Sequence, residues 1–217
     1  MAGYKIAILI SGRGSNMAAL IQACQAKDFP ADVALVLSNR ADAPGLAVAR
    51  AANIPTHTIE QGAFESREAF DAAMTEVLAG AGVRLICLAG FMRLLSADFC
   101  HRWRDSLINI HPSLLPAFKG LHVHQRMLDA GVRIAGCTVH YVRPEMDEGP
   151  ILVQAAVAIA ADDTPDSLAA RILEQEHRIY PLAVRLIAEG RARPAGGIVA
   201  IDNYSFPKQW LINPPLD

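Results

Sequence analysis

The chain has 217 residues and a mass of 23.3 kDa, enough for one large α/β domain or a domain with a small appendage. A hydrophobic fraction of 52% excludes an intrinsically disordered chain. Lys and Arg number 20 against 22 Asp and Glu, so the net charge of −2 leaves no electrostatic footprint for nucleic acid or an anionic membrane. Cys24, Cys87, Cys100 and Cys137 are far apart with no CxxC pair, as expected of reduced thiols. Ile6 to Ile10 is too short for a signal-peptide core, and no apolar run approaches the ~18 residues of a membrane span. A soluble, cytoplasmic protein is expected.

The opening reads as strand, glycine turn, helix. Tyr4 to Ile10 favours a strand buried on both faces, and the segment after Ser11-Gly12-Arg13-Gly14-Ser15-Asn16 reads as helix to about Ala26. The pattern then repeats: strand at Val33–Leu37, helix at Ala43–Ala52, short strand at Pro55–Ile59, helix at Ser66–Ala81, strand at Arg84–Leu88. This alternation implies βαβ units and a parallel sheet. Ser106 to Ile110 is a fifth strand, ended by His111-Pro112. Leu121 to Ala130 reads as helix. Ile134–Val142 and Ile151–Ile159 have no helix between them, so an antiparallel hairpin is expected there. Thr164 as N-cap and Pro165 in the first turn open a last helix running to about Gly190. The expected fold is therefore a doubly wound, mostly parallel α/β sheet flanked by helices, with an antiparallel hairpin in the C-terminal half. Residues 1–190 form a single domain in this reading, and the proline-rich tail 191–217 packs on the surface.

Three places offer chemistry. A glycine turn between strand and helix gathers backbone N–H groups at a helix N-terminus, which favours a phosphate. The dinucleotide fingerprint fails, because Met17 stands where its third glycine belongs and Ser38-Asn39-Arg40 supplies no acid for a ribose diol. The side chains of Ser11, Ser15 and Asn16 suit a terminal phosphate better, and a tight turn with an N-cap is the structural alternative. Asn109 and His111 stand two apart at a strand end and project together, with Ile110 turned to the core. An amide donor beside an imidazole suits a developing oxyanion, although a His before Pro also has a purely structural reading. Asp147 lies in the polar connection Arg143–Pro150. Paired with a histidine it would favour the protonated ring, and otherwise it is a solvated loop carboxylate. His122 and His124, with His111 and His140, raise a metal-hydrolase alternative, but no HExxH motif or carboxylate at ligand spacing supports it, and no metal is expected.

Taken together, Ser11–Asn16, Ala89-Gly90-Phe91-Met92-Arg93-Leu94-Leu95 and Asn109-Ile110-His111-Pro112-Ser113-Leu114-Leu115-Pro116 resemble the phosphoribosylglycinamide formyltransferase family of purine synthesis. Gly120-Leu121-His122, Gly136-Cys137-Thr138-Val139-His140 and Asp147-Glu148-Gly149-Pro150-Ile151 fit in the same order, so the resemblance runs from Ile6 to about Gly190. The Asn-x-His and Asp arrangement is shared with formyltransferases acting on initiator tRNA or sugars and with formyltetrahydrofolate hydrolases. The phosphate turn, and a chain without room for an added tRNA-binding barrel, separate this sequence from them.

The resemblance implies formyl transfer from 10-formyltetrahydrofolate to the amine of glycinamide ribonucleotide, without a metal. It implies catalytic roles for Asn109, His111 and Asp147. It places the ribonucleotide on Gly14, Ser15, Asn16 and Glu176, and the folate on Arg67, Met92, Arg93, Leu94, Leu95 and Asn109. Small molecules are the expected partners, with neither nucleic acid nor membrane, in a monomer or homodimer. Arg13 occupies a place in the turn that varies in the family, whereas Lys119 and Glu148 beside the motifs are charges where other members often have uncharged residues. A formyltransferase for another amine, a non-catalytic folate or nucleotide binder and a zinc hydrolase are the rival readings.

Overall fold

The computed structural model describes residues 3–203, Leu211, Asn213 and Pro214. Its main sheet has seven strands: β1 (Tyr4–Ile10), β2 (Ala31–Ser38), β3 (Thr56–Thr58), β4 (Leu85–Leu88), β5 (Leu107–His111), β6 (Ile134–Tyr141) and β7 (Ile151–Ala158). The strand order is β3-β2-β1-β4-β5-β6-β7. Strands β1 to β5 pair in parallel and β6 pairs antiparallel with β7, as the alternation and the missing helix predict. The chain divides into two compact units, Met1–Asn109 with Tyr141–Pro144, and Ile110–His140 with Glu145–Asp217.

In the first unit, α1 (Ser15–Cys24), α2 (Gly45–Ala51), α3 (Arg67–Gly80) and α4 (Ala97–Arg102) follow β1, β2, β3 and β4. Ala7, Leu9, Leu37, Phe70, Met74, Ile86 and Leu88 lie at the centre of its core. Ser66 caps α3 by accepting from Ala69 N at 3.0 Å. Helix α4 has no counterpart in the sequence reading, because six residues are too few to display a helical period. Its start was nevertheless written in Ser96, which accepts from Phe99 N at 3.2 Å, and in Asp98 in the first turn. The buried Asp71 carboxylate on α3 accepts from Ser96 N at 2.7 Å and so fixes where the preceding loop ends.

In the second unit, α5 (Val123–Asp129) and the long α6 (Pro165–Ala188) pack on each other, and α6 also covers β7. Thr164 and Ser167 form a reciprocal capping box, with Pro165 in the first turn as expected. Arg171 grips Asp163 with both guanidinium nitrogens, at 2.6 and 2.9 Å, and Ser167 Oγ and Ala160 N also donate to that carboxylate. The guanidinium, more than the other donors, holds the Asp163 carboxyl below the usual range. Within the tail the structure contains a hairpin the sequence reading lacks: β8 (Ala192–Ala195) and β9 (Ile198–Ile201) pair antiparallel. Gly196 and Gly197, both with positive φ, supply its two-residue turn. Residues 204–210, 212 and 215–217 of the expected surface tail lie outside the described residues.

Cys87, Cys100 and Cys137 are buried, and Cys24 is partly so. Burial pushes the Cys24 and Cys137 thiols up to about 12, with smaller additions from Asp32 and Glu176 respectively. Among the described residues no helix is long and apolar enough to cross a membrane.

Candidate active site

The turn after β1 is shaped by glycine. Gly14 has φ 71° and ends the turn as the N-cap of α1, so the helix begins without a side-chain cap over its first-turn N–H groups. Ala18 N closes the first helical bond onto Gly14 O at 2.9 Å. Gly12 O accepts from Gly45 N at 3.0 Å, and a Cβ on Gly45 would stand 2.6 Å from Ile10 Cδ1. Gly45 is thus a supporting residue that the sequence reading overlooked: a side chain there would press on Ile10 and on the carbonyls of the turn. Ser15 and Arg13 are exposed and Asn16 is buried at the start of α1. A dipole end with Gly, Ser and Asn around it is chemistry for a phosphate.

Ser11 does something other than the sequence reading assigned. Its hydroxyl is buried, donating to Asn39 Oδ1 at 2.6 Å and accepting from Met92 N at 2.8 Å. Both roles of that hydroxyl are filled by protein groups, so Ser11 joins strand ends and is not a phosphate contact.

The loop after β4 presents Met92 at 71% exposure and Leu94 at 60%. Between them Arg93 turns its guanidinium over the Phe70 ring at 4.2 Å and donates to Gln61 Oε1 at 2.9 Å. Leu95 is half-buried against the core, and Arg67 is exposed at the first position of α3. An open pocket of about 350 Å³, lined by Asn39–Asp42 and Glu60–Ala63, lies at the carboxyl ends of β2 and β3 and contains none of the residues singled out from the sequence.

In the second unit the geometry centres on Asp147, whose φ of 55° places it at a bend of the β6–β7 connection. Its Oδ2 accepts from Gly120 N at 2.9 Å and lies 3.5 Å from His111 Nδ1. Its Oδ1 lies 3.7 Å from His140 Nε2. All three side chains are almost wholly out of water, with Asp147 the most exposed at 11%. His111 Nε2 also contacts Phe118 O at 3.0 Å. A carbonyl only accepts, so the contact with Phe118 calls for the N–H on Nε2. The pairing of Asp147 with a histidine is present, and the histidine is His111, as the family resemblance implies. The place of His140 was not anticipated beyond the metal alternative, although it ends the strand motif Gly136–His140 on the same face as Thr138. Thr138 Oγ1 donates to Ser113 O at 2.7 Å and accepts from Leu115 N and Gln154 Nε2, which fixes the chain just after His111. His122 is exposed and His124 half-buried; burial, and to a lesser degree His111, push His124 below the ordinary imidazole value. Among the described residues no three His, Cys, Asp or Glu side chains are grouped to hold a metal ion.

Asn109 and His111 occupy alternate positions of β5, with Ile110 buried between them as expected. Glu176 occupies the stripe of α6 otherwise filled by Leu168, Ile172, Tyr180 and Ala183, and is only 6% exposed.

Residues 4–184 match the family of formyl transferases. The chain is 48% identical over 186 residues to the trifunctional purine biosynthetic protein adenosine-3 of Gallus gallus, covering 86% of this chain but 18% of that one. The chain thus spans under a fifth of that relative's length. Phosphoribosylglycinamide formyltransferase of Escherichia coli (strain K12) is 43% identical over 204 residues, with 94% of this chain and 96% of that one covered. The crystal structure of glycinamide ribonucleotide transformylase 1 from Symbiobacterium toebii superposes with a TM-score of 0.89 at 48% identity, over 92% of this chain and 94% of that one. A sheet of this order, an Asn-x-His strand end and a carboxylate holding that His agree with the match over 181 of its 217 residues, and the chain belongs to the formyl transferase family.

Proposed function

We propose that the protein transfers a formyl group from 10-formyltetrahydrofolate to the amine of glycinamide ribonucleotide, with the catalytic part in residues 1–190. The observation that carries this reading is the Asp147 carboxylate set 3.5 Å from His111 Nδ1, with Asn109 two positions earlier on the same strand. The printed names of the full-length bacterial relative and the Symbiobacterium toebii structure support the choice of acceptor.

The folate donor supplies a formyl carbon bonded to a nitrogen that can leave. Asn109 donates its amide N–H to the formyl oxygen as the acceptor amine adds, and the charged His111 ring stabilises the negative charge growing there. Asp147 supplies the counter-charge and orients the ring, and its carboxylate takes the proton the amine sheds, which passes on toward the leaving nitrogen. Burial of both groups makes these interactions stronger than they would be in water. Gly14, Ser15 and Asn16 hold the ribonucleotide phosphate at the start of α1, and Glu176 meets its ribose or amide. Met92, Leu94 and Leu95 offer apolar cover and backbone groups to the folate ring, while Arg93 braces the loop from Gln61 and Phe70 and Arg67 meets a glutamyl carboxylate. The exposure of Met92 and Leu94 leaves both side chains open to a ligand.

A spectrophotometric folate assay with and without glycinamide ribonucleotide tests the proposal. Tetrahydrofolate production that depends on the acceptor is the expected result. Production without acceptor would replace it with a formylfolate hydrolase, and no production in either condition would overturn it.

A further inference from the structure

Ser11 stands outside the chemistry just described, yet it touches both binding loops of the first unit. Its N–H donates to Gly90 O at 3.1 Å and its Oγ accepts from Met92 N at 2.8 Å, so the residues on either side of the buried Phe91 are both fastened to it. Its single hydroxyl proton goes to Asn39 Oδ1 at 2.6 Å, at the end of β2. On its other side the chain continues directly into Gly12, whose carbonyl is held by Gly45 N, and then into the turn that opens α1. Ser11 is 7% and Asn39 5% exposed, so water has little room to replace these bonds.

We infer that Ser11 is a positioning residue that couples the ribonucleotide turn to the folate loop, rigidly setting the register of Met92–Leu95 against Gly12–Asn16. This rests on the proposed function, which assigns a substrate to each segment. A strand end that needed only packing would be served by alanine or valine at this buried position. A hydroxyl is needed because one group must give a proton to Asn39 and receive one from a backbone amide at the same time. When an anion draws the Gly12–Asn16 backbone toward itself, the displacement reaches Met92 N through the Ser11 hydroxyl, beside the backbone bond from Ser11 N to Gly90 O. Ribonucleotide bound at the turn therefore orders the folate loop, and folate bound at the loop orders the turn, since such coupling is reciprocal.

Hydrogen exchange of the intact protein, with and without glycinamide ribonucleotide, reads this directly. In the wild type, the ribonucleotide is expected to slow exchange in 12–16 and also, several-fold, in 92–95. In Ser11→Ala the response of 12–16 persists and that of 92–95 is lost. The KM values for both substrates rise together, by about tenfold for a lost buried hydrogen bond, while kcat changes less. Ser11→Thr, which keeps the hydroxyl, restores the 92–95 response. Ser11→Cys, with its weak donor and acceptor, repeats the loss if the alanine variant is too unstable to measure. Protection confined to 12–16 in the wild type would overturn the coupling, as would an undiminished 92–95 response in Ser11→Ala. Absence of any response at 12–16 in the wild type would overturn the ribonucleotide site itself, and the coupling with it.

Discussion

The two units build their functional parts from different materials. The first uses backbone: a glycine N-cap at φ 71°, a close approach at Gly45 and a serine that stitches strand ends together. The second uses charged side chains, with two imidazoles converging on one nearly buried carboxylate. A site made of backbone is tuned by shape, and it binds. A site made of paired ionisable groups is tuned by electrostatics, and it suits a reaction in which charge appears and protons move. Steric changes in the first unit should therefore move KM for the ribonucleotide, whereas charge changes in the second should move kcat.

The largest effect belongs to the second unit. His111→Ala should lower kcat by about 10²–10³-fold, the usual consequence of losing one stabilising group, with the thermal midpoint little changed. Asp147→Asn keeps the shape but removes the charge facing both His111 and His140, and should approach the same loss. His140→Gln, which leaves the His111 contact in place, should lower kcat by a smaller factor. Steady-state kinetics on the three variants would break the comparison if their losses appeared in KM alone.

An intermediate effect is expected at the turn. In Gly45→Ala the new Cβ would lie 2.6 Å from Ile10 Cδ1 and 3.0 Å from Gly12 O, so the Ile10 side chain must move and the Gly12 carbonyl must give by a few tenths of an ångström. Overpacking of this kind costs about 1–3 kcal/mol of stability. Because the displaced atom is a carbonyl of the phosphate turn, KM for the ribonucleotide should rise while kcat holds. Denaturant unfolding and kinetics on one preparation would check both, and an unaltered KM would show that the turn is less dependent on α2 than its geometry implies.

The smallest effect sharpens the contrast within the second unit. Asp163 is also a paired carboxylate there, but its partner is Arg171 and no imidazole faces it in this pairing. Its folded-state carboxyl titrates below the unfolded value of about 4, so its stabilisation is present above that pH and is lost as the pH falls through the folded value. Urea unfolding of wild type and Asp163→Asn should differ most near neutrality and converge in acid, with kcat equal at pH 7.

The sequence exposed those features whose cause is local. Thr164-Pro165, Ser66 and the strand alternation each act within a few residues, and the structure places their elements within two or three residues of expectation. Gly196-Gly197 and Ser96-Ala97-Asp98 are equally local signals, but the strands joined by the first and the helix opened by the second are only four and six residues long, too short to show a period. Ser11 and His140 could not be understood locally. The partners of Ser11 are 28 and 81 positions away, so a hydroxyl beside a glycine turn looked like a phosphate ligand when it was already committed elsewhere. His140 resembled a metal ligand because histidines in sequence proximity look alike until a carboxylate is seen between two of them. Asp147 stood out as a loop carboxylate, but its partner His111 was legible only through family resemblance, since a loop carboxylate carries no periodicity of its own.

The four cysteines have a practical corollary for spectroscopy. Three thiols are enclosed, and burial pushes the partly open Cys24 thiol up to about 12, so the thiolate that reacts with maleimides is scarce at neutral pH. The native protein is thus a quiet background for maleimide labelling. Met146, 51% exposed and adjacent in sequence to Asp147, is a natural place for a single introduced thiol. A fluorophore attached through Met146→Cys would report on the loop that carries the carboxylate while the four native thiols stay dark.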